Sequence, residues 1–153
     1  MHKTIVLIFL STLFLLTSCN SSGLKKEIVK TYKNGNPKKE QFFSLSKKHK
    51  KEVIKEIGYY PNGQKKYVGF FKDRKKDGKW IFWFENGNKW SEGYLDKGIR
   101  TGDAKVYHEN GKLFFTGKYI NGKKDGKWTF YDDNGKKVNE IIFKNGEKVN
   151  ENN

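Results

Sequence analysis

A repeat of about 24 residues constrains this chain more than any other feature. Asn-Gly pairs recur along it at spacings of 28, 24, 24 and 24 residues, beginning at Asn34, Asn62, Asn86, Asn110 and Asn134. Three further sets of glycines keep the 24-residue interval: Gly69, Gly93 and Gly117; Gly78, Gly102 and Gly126; Gly98, Gly122 and Gly146. Self-similarity at a fixed interval of this length is typical of repeat architectures, in which each unit packs on its neighbours.

Each repeat is predicted to form a β-hairpin. Asn-Gly between apolar segments is a strong hairpin signal, because both central positions of a type I′ turn need positive φ. The segments WIFWF (80–84) and WTFY (128–131) have the aromatic composition of strands. Residues 47–58 could form a short helix, but residues 52–60 align with 76–84 and are predicted to be a strand. We therefore expect an all-β array over residues 27–149, an elongated single-layer antiparallel sheet of about five consecutive hairpins.

The best-kept copy of the repeat is GKYINGKKDGKW (117–128), followed by Tyr131 and Asn134-Gly135. This pattern resembles the bacterial variant of the MORN repeat. Two units depart from it, because Asp103-Ala104 replaces a Lys-Trp pair and Asp73-Arg74 replaces an Asn-Gly turn. The resemblance implies a single-layer antiparallel sheet of consecutive hairpins.

A sheet with no second layer must draw its stability from side chains that lie across its own strands. The chain has 12 Phe, 8 Tyr and 4 Trp, although hydrophobic residues make up only 35% of it. The mid-strand glycines, such as Gly69, leave space that a ring of the neighbouring strand can cover. Strand alternation sends Trp80, Phe82 and Phe84 to one face and Ile81 and Trp83 to the other.

The N-terminus has the features of an export signal. Residues 1–18 combine Lys3 with an apolar run that is too short to span a membrane, as in a signal peptide. The sequence Leu16-Thr17-Ser18-Cys19 resembles the lipobox of bacterial lipoproteins, which implies that Cys19 is diacylated and becomes the first mature residue. In the alternative, the protein is secreted and Cys19 is incidental. Residues 19–26 are expected to be a lipidated tether, and residues 150–153 a frayed tail.

The expected location follows from this signal: the bacterial cell envelope, with the membrane as a partner through the lipid anchor. By analogy with lipoproteins of two-membrane bacteria, Asn20 favours the outer membrane over the inner one. Cys19 is the only cysteine in the chain, so an internal disulfide is excluded.

The sequence predicts no enzyme, no metal site and no cofactor. His2, His49 and His108 share no metal-ligand spacing with one another or with a free cysteine. Asp77 and Asp125 recur at turns, where aspartate is favoured because it hydrogen-bonds the local backbone.

Charge and exposed rings supply the candidate binding residues. The formal net charge is +15 at pH 7, and lysines crowd the turns. These lysines either solubilise the sheet or attract an anionic lipid, polysaccharide or protein surface; nucleic acid is not an expected partner for an exported chain. The candidate lysines are Lys47, Lys48, Lys50, Lys51, Lys75, Lys76, Lys123 and Lys124. Four aromatics in one register either pack along the array or stack on a ligand: Tyr59, Trp83, Tyr107 and Tyr131.

The favoured hypothesis is a non-enzymatic, membrane-anchored envelope lipoprotein whose repeats act as a binding or scaffold module for an unidentified protein or an anionic surface. One alternative is an antitoxin-like or immunity protein that neutralises a toxin acting in the envelope. Another is carbohydrate binding through exposed rings.

Overall fold

Eleven strands follow one another in chain order across one antiparallel sheet, in a computed structural model that describes residues 23–149. They are β1 (Lys25–Thr31), β2 (Pro37–Leu45), β3 (Lys51–Tyr59), β4 (Lys65–Lys72), β5 (Lys75–Trp83), β6 (Lys89–Asp96), β7 (Ile99–Tyr107), β8 (Leu113–Ile120), β9 (Lys123–Tyr131), β10 (Lys137–Lys144) and β11 (Glu147–Lys148). The predicted all-β sheet of consecutive hairpins is confirmed, and the ambiguous segment after residue 47 enters a strand.

Some of the sequence predictions fall outside the described residues. The predicted signal peptide, Cys19 and the tail at residues 150–153 are among them. Strand β1 begins at Lys25, so it takes in two residues that the sequence analysis assigned to the tether.

The strand order places the connections in two rows at opposite ends of the strands, because each antiparallel strand reverses the chain. The asparagine turn row contains the β1–β2, β3–β4, β5–β6, β7–β8 and β9–β10 connections, each with an Asn-Gly pair. The basic turn row contains the β2–β3, β4–β5, β6–β7, β8–β9 and β10–β11 connections. Neighbouring turns within a row are two strands apart, or about 10 Å.

The type I′ prediction is wrong for the asparagine turn row. In the β5–β6 turn, Gly87 has φ 89° but Asn86 is not in the left-handed region. The Gly87 N–H donates to the Phe84 carbonyl at 3.1 Å, as in a type I turn followed by a glycine bulge. The Asn86 side chain explains the difference, because its Oδ1 accepts from the Asn88 N–H at 2.9 Å and closes a local turn of its own.

Paired positive φ angles occur instead in the basic turn row. Asn121 and Gly122 have φ values of 50° and 81°. Asp73 and Arg74 adopt the same arrangement, with φ values of 49° and 63°, although neither is glycine. The turn geometry therefore survives in the unit where the sequence departs from the repeat.

The two faces of the sheet carry different cross-strand rows. On the tryptophan face, successive strands from β2 to β10 contribute Gln41, Glu56, Gly69, Trp80, Gly93, Ala104, Gly117, Trp128 and Ile141. On the opposite face, the glutamate face, the same strands contribute Glu40, Ile57, Val68, Ile81, Glu92, Lys105, Thr116, Thr129 and Glu140. The most buried hydrophobic side chains, Ile57, Trp80 and Trp128, all belong to these two rows.

The predicted covering of glycines by rings is present at two of the three positions. Trp80 lies on Gly69, and Trp128 lies on Gly117. Gly93 has no ring over it, because position 104 is alanine where positions 80 and 128 are tryptophan.

The rings of Trp80, Phe82 and Phe84, which strand alternation predicts on one face, lie close together. The rings of Trp80 and Phe82 stack with centroids 6.0 Å apart. The ring of Trp90 lies 6.0 Å from that of Phe82 and 6.1 Å from that of Phe84, so these rings form one continuous group.

Candidate functional site

All eight candidate lysines lie in the basic turn row. Lys47, Lys48, Lys50 and Lys51 belong to the β2–β3 connection and the start of β3, while Lys75-Lys76 opens β5 and Lys123-Lys124 opens β9. The β2–β3 turn is closed by the Ser46 N–H, which donates to the Lys50 carbonyl at 3.0 Å. The fold thus brings these lysines, which are up to 77 residues apart in sequence, to the same end of the strands.

The asparagine turn row differs in charge. Its last three turns carry acidic residues beside the Asn-Gly pair: Glu85, Glu109, Asp132 and Asp133. The lysine density at turns is visible in the sequence, but the division into two rows is not. The separation needed the strand order, which sends alternate turns to opposite sides.

Three of the eight lysines are engaged within the sheet. Lys76 Nζ lies 4.2 Å from the ring centroid of Trp80, and Lys124 Nζ lies 4.5 Å from that of Trp128. Lys51 forms an ion pair with Glu27 and lies over the ring of Phe43.

The other five candidate lysines are exposed: Lys47, Lys48, Lys50, Lys75 and Lys123. Among residues 23–149, none of them forms an ion pair or a cation–π contact. Their ammonium groups are therefore the ones that an external anion can reach.

The four candidate ring-stacking residues share one register beside the asparagine turn row, and all are half-buried. The Tyr59 hydroxyl donates to Glu40 Oε2 at 2.7 Å, and the Tyr107 hydroxyl donates to Glu92 Oε1 at 2.8 Å. The backbone carbonyl of Trp83 accepts from the Tyr60 hydroxyl at 2.8 Å, and that of Tyr131 lies 3.1 Å from His108 Nε2. These residues link one hairpin to the next.

Glu92 is the most strongly perturbed acid of the glutamate face. Lys79 Nζ lies 2.9 Å from its Oε2, and Lys89 Nζ lies 3.1 Å from its Oε1. Burial raises the pKa of Glu92, but hydrogen bonds from Lys79, Tyr107 and Lys89 outweigh burial and lower it to about 2. Burial and the same hydrogen bond to Glu92 raise the pKa of Tyr107 to about 12.

On the other face, the buried carboxylate of Glu56 occupies the tryptophan position of its unit. It accepts hydrogen bonds from the Tyr67 hydroxyl at 2.6 Å and from Gln41 Nε2 at 2.8 Å, and Lys39 Nζ lies 3.1 Å away. Burial raises the pKa of Glu56, but these three partners together lower it. Neither glutamate was among the candidate residues predicted from the sequence. The available signal for Glu92 was Glu140, at the same repeat position 48 residues later.

Above Gly93 and Ala104 lies a cavity of about 340 Å³, the tryptophan gap. Trp80, Phe115 and Tyr119 are among its lining residues. Ala104 is visible in the sequence as a departure from the repeat, but the cavity there was not predicted.

Two further properties concern residues 23–149 alone. No three His, Cys, Asp or Glu side chains in this range are placed to hold a metal ion. No helix in it is long and apolar enough to cross a membrane.

Four consecutive segments match the MORN repeat variant, at residues 53–73, 76–97, 100–121 and 124–145. Together they make up more than half of the chain. This protein belongs to the MORN repeat variant family. Each matched unit coincides with one hairpin, from β3–β4 to β9–β10, and holds one turn of the asparagine row. The resemblance to the MORN repeat variant that was stated from the sequence is therefore confirmed. The tryptophan gap lies within the matched repeats.

No curated protein matches this MORN chain. Among solved structures it is similar to TarM, with 17% identity, 82% of this chain and 22% of that chain covered, and a TM-score of 0.44. A structure of the S. aureus TarM G117R mutant in complex with fondaparinux, alpha-GlcNAc-glycerol and UDP is similar at 16% identity. The match covers 79% of this chain and 21% of that chain, and the TM-score is 0.45. The chain is also similar to a glycosylation associate protein complex from Streptococcus agalactiae. The identity is 13%, the match covers 74% of this chain and 20% of that chain, and the TM-score is 0.42. The chain spans about a fifth of these structures.

Proposed function

We propose that this MORN protein is a non-enzymatic, lipid-anchored component of the bacterial envelope, whose sheet binds an anionic surface through the basic turn row. The observation that carries the proposal is the placement of all eight candidate lysines on one side of the sheet, opposite the turns that hold Glu85, Glu109 and Asp133. A row of this kind can approach a flat surface with several turns at once.

The electrostatics of such a row favour anionic headgroups or an acidic polysaccharide. Each Lys or Arg near an anionic membrane surface contributes about 1 kcal/mol of attraction, which decays within a Debye length of about 8 Å at physiological salt. Lys48, Lys75 and Lys123 lie on three different turns of the row and are exposed. Binding through them should therefore be additive and strongly dependent on salt.

The lipid anchor and the basic turn row would act together. Two acyl chains on Cys19 would suffice for stable attachment to a membrane, and the basic turn row would add electrostatic attraction to anionic headgroups. Only residues 20–24 separate Cys19 from the start of β1, a span of about 20 Å at most. A lipid on Cys19 would hold the first hairpins close to the membrane and raise the local concentration of headgroups around the turns.

A matched pair of triple variants tests the basic turn row. Residues 20–153, without the lipid anchor, are titrated with phosphatidylcholine vesicles that either contain or lack phosphatidylglycerol. One variant removes three lysines from the basic turn row, Lys48→Gln, Lys75→Gln and Lys123→Gln. Its control removes three from the asparagine turn row, Lys33→Gln, Lys112→Gln and Lys136→Gln. The change in net charge is the same in both.

We expect the basic-row variant to bind phosphatidylglycerol vesicles at least tenfold more weakly than the unmodified chain, and the control to lose less than about threefold. Added salt should weaken the binding of the unmodified chain. An equal loss in both variants would mean that overall charge, and not this row, drives binding. Binding to neither vesicle would reject an anionic lipid as the target. The same two variants then test binding to an acidic polysaccharide.

A further inference from the structure

The row of indole rings on the tryptophan face is interrupted in one unit. Trp80 and Trp128 are two repeats apart, and Ala104 stands midway between them. A Cβ atom at Gly69 or Gly117 would come within 2.2 or 2.3 Å of an indole, whereas at Gly93 the nearest atom, 3.6 Å away, is a backbone oxygen. The space above Gly93 is therefore the space that an indole occupies in the two flanking units.

The cavity left there has the size and lining of a ligand site. Its volume of about 340 Å³ falls in the range of small-molecule pockets. Rings of Trp80 and Phe115 line it, with Val106 and the small residues Gly93 and Ala104. An aromatic ring placed in the gap would thus rest on backbone and contact other rings at its edges.

A cation is positioned at the gap as it is in the filled units. Lys76 and Lys124 lie over Trp80 and Trp128, and the equivalent residue of the gap unit is Arg100. Arg100 lines the cavity, and its Nη1 donates a hydrogen bond to the Tyr119 hydroxyl at 3.1 Å. A guanidinium held in this way is preorganised to lie over a ring that enters the gap.

The gap also has a counterpart of the indole acceptor. In the filled unit, Trp80 Nε1 donates to the Phe70 carbonyl at 3.1 Å. The equivalent carbonyl beside the gap belongs to Tyr94, another lining residue. Within the described residues Trp128 Nε1 has no partner, so this hydrogen bond assists an indole but is not required to seat it.

We propose that the tryptophan gap binds a tryptophan side chain of a partner polypeptide, with the indole on Gly93 and the Arg100 guanidinium over it. Each flanking unit holds its indole between a glycine and a lysine, and Gly93 and Arg100 occupy the equivalent positions in the gap unit. The rim favours a polypeptide as the source, since Trp90 and Tyr94 are 48% and 44% exposed beside the cavity. Tryptophan, tyrosine and arginine are the residues most enriched among the energetically dominant positions of protein interfaces. This site is independent of the proposed binding of an anionic surface.

The first test is binding of an acetylated Gly-Gly-Trp-Gly-Gly peptide to the full-length ¹⁵N-labelled protein in detergent micelles, followed by NMR. We expect a Kd on the order of 1 mM, as for one anchored side chain, with shifts at the amides of Gly93, Arg100 and Ala104. The same peptide with leucine should bind at least tenfold more weakly. Equal binding of the two peptides, or no shifts at these amides, would overturn the proposal.

Two test variants, each with a control variant, locate the site. Ala104→Trp fills the gap from within and should abolish peptide binding, whereas Val138→Trp adds a tryptophan at an exposed position outside the cavity and should leave binding unchanged. Arg100→Gln should weaken binding about threefold, with Lys76→Gln as its control in the filled unit. Undiminished binding to Ala104→Trp would reject the gap as the site. If N-acetyl-tryptophanamide binds and the peptide does not, the gap takes a small aromatic molecule and the polypeptide partner is wrong.

Discussion

The indole of Trp80 lies directly on Gly69, so that a Cβ atom at residue 69 would come within 2.2 Å of the ring carbons. The contact joins neighbouring strands, since Gly69 and Trp80 are cross-strand partners of β4 and β5. In a sheet with one layer, this covering of backbone by a ring supplies the burial that a second layer would otherwise provide.

Gly69→Ala should therefore destabilise the protein by about 1–3 kcal/mol, the usual cost of overpacking, because the added methyl group displaces the indole. Gly93→Ala is the matched control. The nearest atom to a Cβ there is 3.6 Å away, so we expect a change of less than about 0.5 kcal/mol. Urea unfolding followed by tryptophan fluorescence measures both. Similar losses in the two variants would contradict the role assigned to the ring.

Asparagine side chains link successive turns of the asparagine turn row. Asn110 Nδ2 donates to the Asp133 carbonyl at 2.7 Å, and its Oδ1 accepts from the Lys112 N–H at 3.0 Å. We expect Asn110→Ala to cost about 1 kcal/mol in the free energy of unfolding, because both bonds are lost. Asn134 lies in the last turn of the row, where Asp132 accepts the local backbone bonds. Asn134→Ala should cost less than half as much in the same denaturation assay.

Glu92 should make stability depend on pH in the acid range. Its pKa of about 2 lies below the ordinary value of 4.5, so its contribution is full above pH 4.5 and is lost as the pH falls toward 2. Lys79 and Lys89 are partly exposed, which reduces the contribution to about 1–2 kcal/mol. Glu92→Gln should be less stable than the unmodified protein by that amount at pH 7, and the difference should shrink between pH 4.5 and 2.

Glu140→Gln provides the control for Glu92. Glu140 pairs with Lys127 and Lys137 on the same face of the sheet but is more exposed. We expect only a small change in its pH profile, measured by urea unfolding at a series of pH values. A pH-independent deficit in Glu92→Gln would show that the carboxylate contributes through packing and not through its charge.

Cys19 should carry the acyl chains. Labelling of cells with palmitate should mark the unmodified protein and not Cys19→Ala, and globomycin should block processing of the unmodified precursor. Each buried methylene contributes about 0.8 kcal/mol, so loss of the chains should move the protein out of the membrane fraction. Unchanged processing together with an absence of label on the unmodified protein would reject the anchor.

The repeat alone was sufficient to predict the strands, because Asn-Gly pairs 24 residues apart leave room for two strands per unit. The turn type was not predictable from the pair alone. At Asn86 a side-chain hydrogen bond to Asn88 keeps the asparagine out of the left-handed region, whereas Asn121 adopts it. The two turns have the same Asn-Gly sequence, and the side-chain hydrogen bond of Asn86 determines which turn type forms.

The candidate site was predictable in part. Its lysines were recognised from their density at turns, but their shared side and the engagement of Lys76 and Lys124 by indole rings depend on which strands are neighbours. Glu92 and Glu56 could not be predicted, because a single glutamate in a strand gives no sign that side chains of neighbouring strands will form ion pairs and hydrogen bonds with it.

The sequence by itself determined the order of hairpins, because local turn chemistry and the alternation of side chains act over a few residues. The predicted signal peptide at residues 1–18 rests on a local pattern as well, an apolar run followed by small residues. The tertiary structure decided the separation of the two turn rows, the pairing of Glu92 with Lys79 and the cavity above Gly93. Each of these depends on contacts between strands, and one alanine at position 104 becomes a cavity only because rings fill the equivalent space in the units on either side.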